Sequence, residues 1–299
     1  MTDGVRWMFH ATAMGPSYDA ILEPLARLFG CRVLHDNEVP DAGIERRGGM
    51  TWIADNSIEI GQPLGPSSAV HRFLDRFGGG MHSVAVQVAD LDVALDRAEG
   101  AGVHVASRID EGLAFTRPGD TAGLLIEWFS KRQGDDPRWG APEPPFVSEP
   151  VVRPTRVAFV GAIVDDPVSS AWHLGEVFDT EVSILAVDGP ADKPRAAIAL
   201  GDCVLALYPI PSSPLESHHA WGAVYDRARC LSLGLVVDDV GATERALGDA
   251  GVGVHHRVND GSVVLGPAGL PFPVLLTDHL LPGDPRRASP NEPAPTNGV

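Results

Sequence analysis

The chain is short of cysteine, of basic residues and of long apolar runs, and each shortage removes a class of function. Cys31, Cys203 and Cys230 are odd in number, widely spaced and outside any CxxC pattern. That argues against a disulfide framework or zinc cluster and for a reducing, cytoplasmic setting. Lys and Arg total 23 against 40 Asp and Glu, for a formal charge of −17. Nucleic acid and anionic membranes both need a basic patch, so neither is an expected partner. A small anionic ligand held by a few local arginines stays compatible with that charge. No apolar run approaches the ~20 residues that span a bilayer, and MTDGVRWMFH lacks the basic-then-apolar plan of a signal peptide. Neither GxSxG nor GxxxxGK occurs, and no helix pattern follows the run Gly78–Gly80. A serine-nucleophile elbow and a phosphate loop are therefore excluded.

What the sequence does contain is repetition. HSVAVQVADLDVALDRAEGAGVHVASRIDEG (His82 to Gly112) aligns without a gap on LSLGLVVDDVGATERALGDAGVGVHHRVNDG (Leu231 to Gly261), 149 residues further on. Such self-similarity marks duplicated architecture, and 299 residues suffice for two domains with ordinary cores. The expected organisation is a domain over 1–133, a Pro-rich linker over 134–154, a second domain over 155–281, and a disordered tail over 282–299.

Each half divides again into two units of one strand, one helix and three strands. VRWMFHATAM reads as a strand. SYDAILEPLARLFG follows as a helix with Ser17 as N-cap and Ile21, Leu22, Leu25, Leu28 and Phe29 on one face, and Pro24 is expected to kink or delay it. CRVLHDNEV, GGMTWIAD and NSIEIGQP supply three strands, with Asp55-Asn56 suited to a tight turn. The second unit runs through HSVAVQVAD, a helix stopped by Gly102, and strands ending in GLLIEWF.

Strand alternation sorts the side chains. Phe9, Ala11 and Ala13 share one face and His10 and Thr12 the other; Glu59 opposes Ile58 and Ile60; Ser83 and Gln87 oppose Val84, Val86 and Val88; Glu127 opposes Ile126 and Trp128. If these strands curve round one cavity, then His10, Thr12, Glu59, Ser83, Gln87 and Glu127 line it. Alternation turns His82 away from that cavity, and only a β-bulge at the glycine run would restore its access. In the second half, Phe159, Leu205 and Thr277 stand for His10, Glu59 and Glu127, while Ser232 matches Ser83. One half thus carries a chemical site and the other is structural. His218-His219 and His255-His256 are read as ordinary polar neighbours, and Arg46-Arg47 as a solvated hairpin.

These units, with VADLDVALDRAEGAGV and the terminal GLLIEW, resemble the vicinal oxygen chelate superfamily, which includes glyoxalase I, bleomycin-resistance proteins, extradiol dioxygenases and methylmalonyl-CoA epimerase. NSIEIGQPLG, SSAVHRFLDRFGGGMHSVAV and GLLIEW make the first half most similar to the epimerase pattern. The resemblance implies an α+β fold of four βαβββ modules forming two tandem glyoxalase-like domains. It also implies a divalent metal ion of unspecified identity, with His10, Glu59 and Glu127 on ligand positions and Ser83 where the family places a histidine. Glu127 or Glu59 would be the base, and Ser83, Gln87 and Thr12 would contact substrate. The implied chemistry is epimerisation, isomerisation or lysis beside a carbonyl of a small molecule or acyl thioester, in a monomer or homodimer. A metal-free, drug-sequestering binding protein with an aromatic-lined cavity is the alternative, for which Trp7 and Trp52 are available while Trp128 faces the core. Carboxylate-only catalysis without a metal is a third reading. Extradiol cleavage fits less well, because Ser83 removes one of the two histidines its iron site needs.

Overall fold

The computed structural model describes residues 4–39, 45–186, 194–210, 228–258, 260–265 and 270–287. In the first domain β1 (Trp7–Met14) leads through α1 (Tyr18–Phe29) to β2 (Arg32–Val39), β3 (Arg46–Ile53) and β4 (Asn56–Pro63). A short α2 (Ala69–Phe77), to which the sequence pattern assigned no element, connects to β5 (Gly80–Gln87). Then follow α3 (Leu91–Gly100), β6 (Val105–Asp110), β7 (Leu113–Thr116) and β8 (Leu125–Phe129). The second domain repeats the plan. Its first unit is β9 (Arg156–Val164), α4 (Pro167–Phe178), β10 (Val182–Ile184), β11 (Ala196–Ala199) and β12 (Val204–Pro209). Its second unit is β13 (Arg229–Val236), α5 (Val240–Asp249), β14 (Val254–Arg257), β15 (Val263–Leu265) and β16 (Val274–Thr277).

Each domain is one eight-stranded sheet, ordered β2-β3-β4-β1-β5-β8-β7-β6 and β10-β11-β12-β9-β13-β16-β15-β14. The first strand of every unit pairs in parallel with the last, and the two units of a domain join through antiparallel β1–β5 or β9–β13. These are the two tandem glyoxalase-like domains of βαβββ units that the resemblance implied. The helix-side faces of both sheets merge into one hydrophobic cluster that contains Leu25, Phe29, Trp128, Leu174 and Phe178. Trp128 packs edge-on to Phe178 across the domains, with ring centroids 5.6 Å apart. The opposite face of each sheet is left to form a cleft.

Local details follow from the residues, with some corrections. Ser17 caps α1 by accepting from the Ala20 N–H, and the helix runs unbroken through Pro24 to Gly30. Its buried stripe, which includes Ile21, Leu25 and Phe29, offsets the lost backbone donor. Ile53 pairs with Asn56, so Ala54 and Asp55 form the turn, one residue earlier than expected.

The segment read as linker and residues 282–287 of the segment read as tail form straps against the domains. Val147, Val151 and Val152 donate backbone N–H groups to the carbonyls of Cys31, Arg27 and Leu28. Beside them lies an Asp-Pro-Arg triplet that the tail repeats. Arg138, braced by Asp136, donates to Met8 O (2.6 Å), Phe9 O (2.7 Å) and Asp202 Oδ2 of the other domain (3.1 Å). Arg286, braced by Asp284, donates to Val157 O (2.7 Å) and to Asp55 Oδ2 of the first domain (2.9 Å). The two turn aspartates complete the exchange: Asp202 accepts from Met8 N (2.9 Å) and Asp55 from Val157 N (2.8 Å). The expectation of disorder therefore fails for residues 282–287, because composition does not register that Arg286 has a buried seat. Residues 288–299 lie outside the described residues.

Candidate functional site

Four adjacent strands of the first sheet bring the expected residues together. Thr12 on β1 stands opposite both Glu59 on β4 and Ser83 on β5, while Ala85 on β5 stands opposite both His10 and Glu127 on β8. All of these side chains are buried. His10 Nε2 lies 3.4 Å from Glu59 Oε2 and 3.7 Å from Glu127 Oε2. One ligand atom from each of the three falls within 4.8 Å of the others. Glu127 Oε1 accepts from the Ser83 hydroxyl (2.5 Å) and from Thr12 (3.3 Å). Burial works to raise the Glu127 pKa. The charge of the neighbouring His10 ring and the hydrogen bond from the Ser83 hydroxyl outweigh it and hold the carboxyl well below the usual carboxylate range.

The residues fit a divalent ion. Both His10 ring nitrogens are buried without an aligned hydrogen-bond partner, an arrangement that costs free energy unless a ligand completes it. One imidazole and two carboxylates form a donor set that borderline and hard divalent cations accept. Ser83 serves Glu127 from the position where the superfamily would place a histidine.

Bulges explain where alternation misled. The β1–β5 register shifts between Met8 and His10, so Phe9 leaves the main core and joins Met50 and Ala85 on the cleft side. Its ring lies 4.4 Å from Phe129 and 4.9 Å from His10. A second shift passes over His82, with Thr12 opposite Ser83 and Ala13 opposite Met81. Gly78, Gly79 and Gly80 all have positive φ, which lets the chain enter β5 in this irregular way. His82 therefore does line the cavity, contrary to strict alternation. Its Nδ1 meets Ser83 Oγ at 3.1 Å, and its ring stands edge-on to Phe73. Burial pulls its pKa down to about 4, so it is neutral at physiological pH. Gln87 does not reach the cavity. It pairs opposite Trp7 at the far end of β5, fully buried, with Nε2 donating to Val88 O.

The cavity holds about 450 Å³ and is walled by Phe9, Met50, Phe115 and Phe129 around the polar cluster. The aromatic lining is thus phenylalanine. Trp7 and Trp52 instead flank Arg138, and Trp128 is in the core as expected. Arg46, expected on a solvated hairpin, belongs to the site. Its Nη2 forms an ion pair with Glu59 Oε1 and the residue lines the cavity, whereas Arg47 stays outside on Asp36. Arg46, Gly48 and Met50 share a strand face, and Met50 pairs with Glu59; that alternation was the available signal.

In the second domain apolar residues stand at the equivalent places, in a register that differs from the expected one. Phe159 does replace His10, opposite Gly234. Ala206, opposite Gly161, takes the place of Glu59, and Leu275, opposite Gly234, takes the place of Glu127. Leu205 faces the main core and Thr277 lies two residues beyond the site. Phe159, Ala206 and Leu275 belong to one apolar cluster, and the remaining cleft is only about 50 Å³. His255 and His256 are successive on β14, the first exposed and the second half-buried; His218 and His219 lie outside the described residues.

The fold and site together define a vicinal-oxygen-chelate type of domain. Residues 9–118 match the model of the Glyoxalase/Bleomycin resistance protein/Dioxygenase superfamily, and they carry a domain of that superfamily. This part of the chain is similar to the ethylmalonyl-CoA/methylmalonyl-CoA epimerase of Cereibacter sphaeroides, at 26 % identity over 126 residues, covering 40 % of this chain and 92 % of that protein. Among solved structures, the methylmalonyl-CoA epimerase of Mycobacterium tuberculosis aligns at 25 % identity and TM-score 0.41, covering 44 % of this chain and 93 % of that one. The Streptomyces coelicolor epimerase in complex with 2-nitronate-propionyl-CoA aligns at 24 % and 0.40, covering 43 % and 99 %.

Proposed function

We propose that the first domain is a metal-assisted enzyme that moves a proton beside a carbonyl, as an epimerase, isomerase or lyase acting on a small molecule or acyl thioester. The observation that carries this reading is the convergence of His10, Glu59 and Glu127 in one buried cluster at a cavity walled by Phe9, Met50, Phe115 and Phe129. Similarity to an acyl-CoA epimerase, confined to this part of the chain, supports it. His10, Glu59 and Glu127 would hold the ion, which when bound stabilises negative charge developing on a carbonyl oxygen.

The remaining chemistry belongs to the side chains. Ser83 and Thr12 fix Glu127 through Oε1 and leave Oε2 towards His10. With Oε1 already accepting two hydrogen bonds and Oε2 turned to His10, Glu127 serves as a ligand. Proton abstraction falls to Glu59, whose Oε2 faces His10 and whose Oε1 pairs with Arg46, so the guanidinium has to shift for that oxygen to act. The phenylalanine walls exclude water from the reacting carbon and accept an apolar acyl group. Gln87 has no part in the site. Three buried, unpaired thiols suit the expected cytoplasmic setting. No helix among the described residues is long and apolar enough to cross a membrane.

Elemental analysis of the purified protein tests the reading, paired with His10→Ala and Glu127→Ala. We expect stoichiometric metal in the wild type after loading and loss in both variants. Absence of metal under every loading condition sinks the mechanism. It would favour the second reading, a small-molecule binding protein, for which the Phe9–Phe115–Phe129 wall is the supporting feature.

A further inference from the structure

We propose that Arg46 is a built-in counter-cation of the His10–Glu59–Glu127 cluster and competes with a divalent ion for it. The inference rests on the cluster being the ion's seat, and concerns what sets its affinity. Two buried carboxylates within reach of one imidazole repel each other and need positive charge nearby. In this chain that charge comes from the protein itself: the Arg46 guanidinium pairs with Glu59 Oε1 through Nη2, with 19 % of the arginine side chain exposed and 10 % of the glutamate.

The seat is constructed for it. Gly48 lies two residues along β3 on the same face, and a Cβ there would overlap Arg46 Nη1 and approach Glu59 Oε1 to 3.5 Å. Gly48 needs no positive φ, so its missing side chain serves space rather than backbone conformation. The seat is also incomplete: Nη1 is buried without a hydrogen-bond acceptor among the described residues. A guanidinium held by one carboxylate, with an orphaned donor, is less tightly committed than a fully satisfied one. A divalent ion reaching Glu59 meets a resident positive charge that must shift or be tolerated at close range. Either way the ion binds more weakly than the donor set alone would allow, and the cluster remains charge-compensated without it.

The test is Mn²⁺ titration by calorimetry on the whole chain, comparing wild type, Arg46→Gln and Gly48→Ala, with thermal melting as the fold control. Arg46→Gln removes the charge. Gly48→Ala keeps the charge but denies the guanidinium its seat, at low cost because the obstructing atom ends a flexible side chain. We expect Mn²⁺ to bind at least tenfold more tightly to both variants, and His10→Ala to abolish the gain in the Arg46→Gln background. Equal or weaker binding to Arg46→Gln overturns the proposal and makes Arg46 a supporting group of Glu59. A gain in Arg46→Gln without one in Gly48→Ala overturns the competition at that seat. If neither the wild type nor Arg46→Gln binds an ion, the metal reading of the site fails too, a result distinct from equal binding in the two proteins.

Discussion

Replacing Arg286 by alanine tests whether the C-terminal strap is structural. The side chain is 15 % exposed and makes four hydrogen bonds: two to Asp284, one to Asp55 and one to the Val157 carbonyl. Hydrogen bonds to charged groups contribute about 1.5–3 kcal/mol each, but they are not additive, because the abandoned partners keep other donors. Asp55 retains the Val157 N–H and Asp284 retains the backbone N–H of residue 286. Asp55 is also 36 % exposed and partly screened by water, whereas Asp284 is fully buried. Removing one partner of a buried pair costs about 3–5 kcal/mol, and the screened half of this clasp brings the expectation to about 3 kcal/mol. Arg153→Ala is the internal comparison, since Arg153 is 63 % exposed and its partner Glu149 78 %; such a pair contributes under ~1 kcal/mol. Urea unfolding followed by circular dichroism and tryptophan fluorescence reads both. A loss below about 1 kcal/mol for Arg286→Ala, indistinguishable from Arg153→Ala, would refute the clasp as a stabilising element.

Two further outcomes are expected. Burial raises the Asp202 pKa to about 6 despite Arg138 beside it, so the folded protein binds this proton more tightly than the unfolded chain. The contribution is greatest below pH ~4 and is lost as pH rises to about 6. The two-unit gap corresponds to roughly 3 kcal/mol, which partial exposure of the side chain trims to about 1–2 kcal/mol. The stability difference between wild type and Asp202→Asn should therefore move against the wild type across pH 4–6, and a flat difference would contradict this. Gly234→Ala places a Cβ against the Phe159 ring; overpacking of this kind costs about 1–3 kcal/mol, measurable as a lower melting temperature, with no change in metal content of the first domain.

Most of the fold could be read from the sequence because hydrophobic alternation and a gap-free repeat are carried by many residues at once. The errors cluster where one residue of register matters. Leu205 was matched to Glu59 by aligning flanking residues, yet hydrogen-bond pairing puts Ala206 there, and a one-residue slip exchanges core for cleft. Thr277 was two residues out, so its face was right and its place wrong. Phe9 and His82 were misassigned for a different reason: bulges break the period-two rule, and single-sequence patterns announce them only indirectly, here through three consecutive glycines. Asp136-Pro-Arg138 and Asp284-Pro-Arg286 form a visible repeat. Composition hid it, because proline and charge suggest disorder until the acceptors of each arginine are known.

Those straps also show what the second domain does for the first. In the second domain, Phe159, Ala206 and Leu275 fill the space where the first has its ionisable groups, and the small cleft that remains is bordered by Asp260, Thr277 and His279. Its remaining contributions go to the first domain. Asp202 accepts the Met8 N–H, and with its help Arg138 holds the carbonyls of Met8 and Phe9, the two residues immediately before His10. The bulge that turns Phe9 into the cavity and sets His10 between two carboxylates begins at that clamped backbone. A site built from three side chains on separate strands needs its supporting backbone fixed from outside the sheet that carries it. The duplicated domain does this from the far side of the shared core, with Asp202 at the tip of its β11–β12 turn.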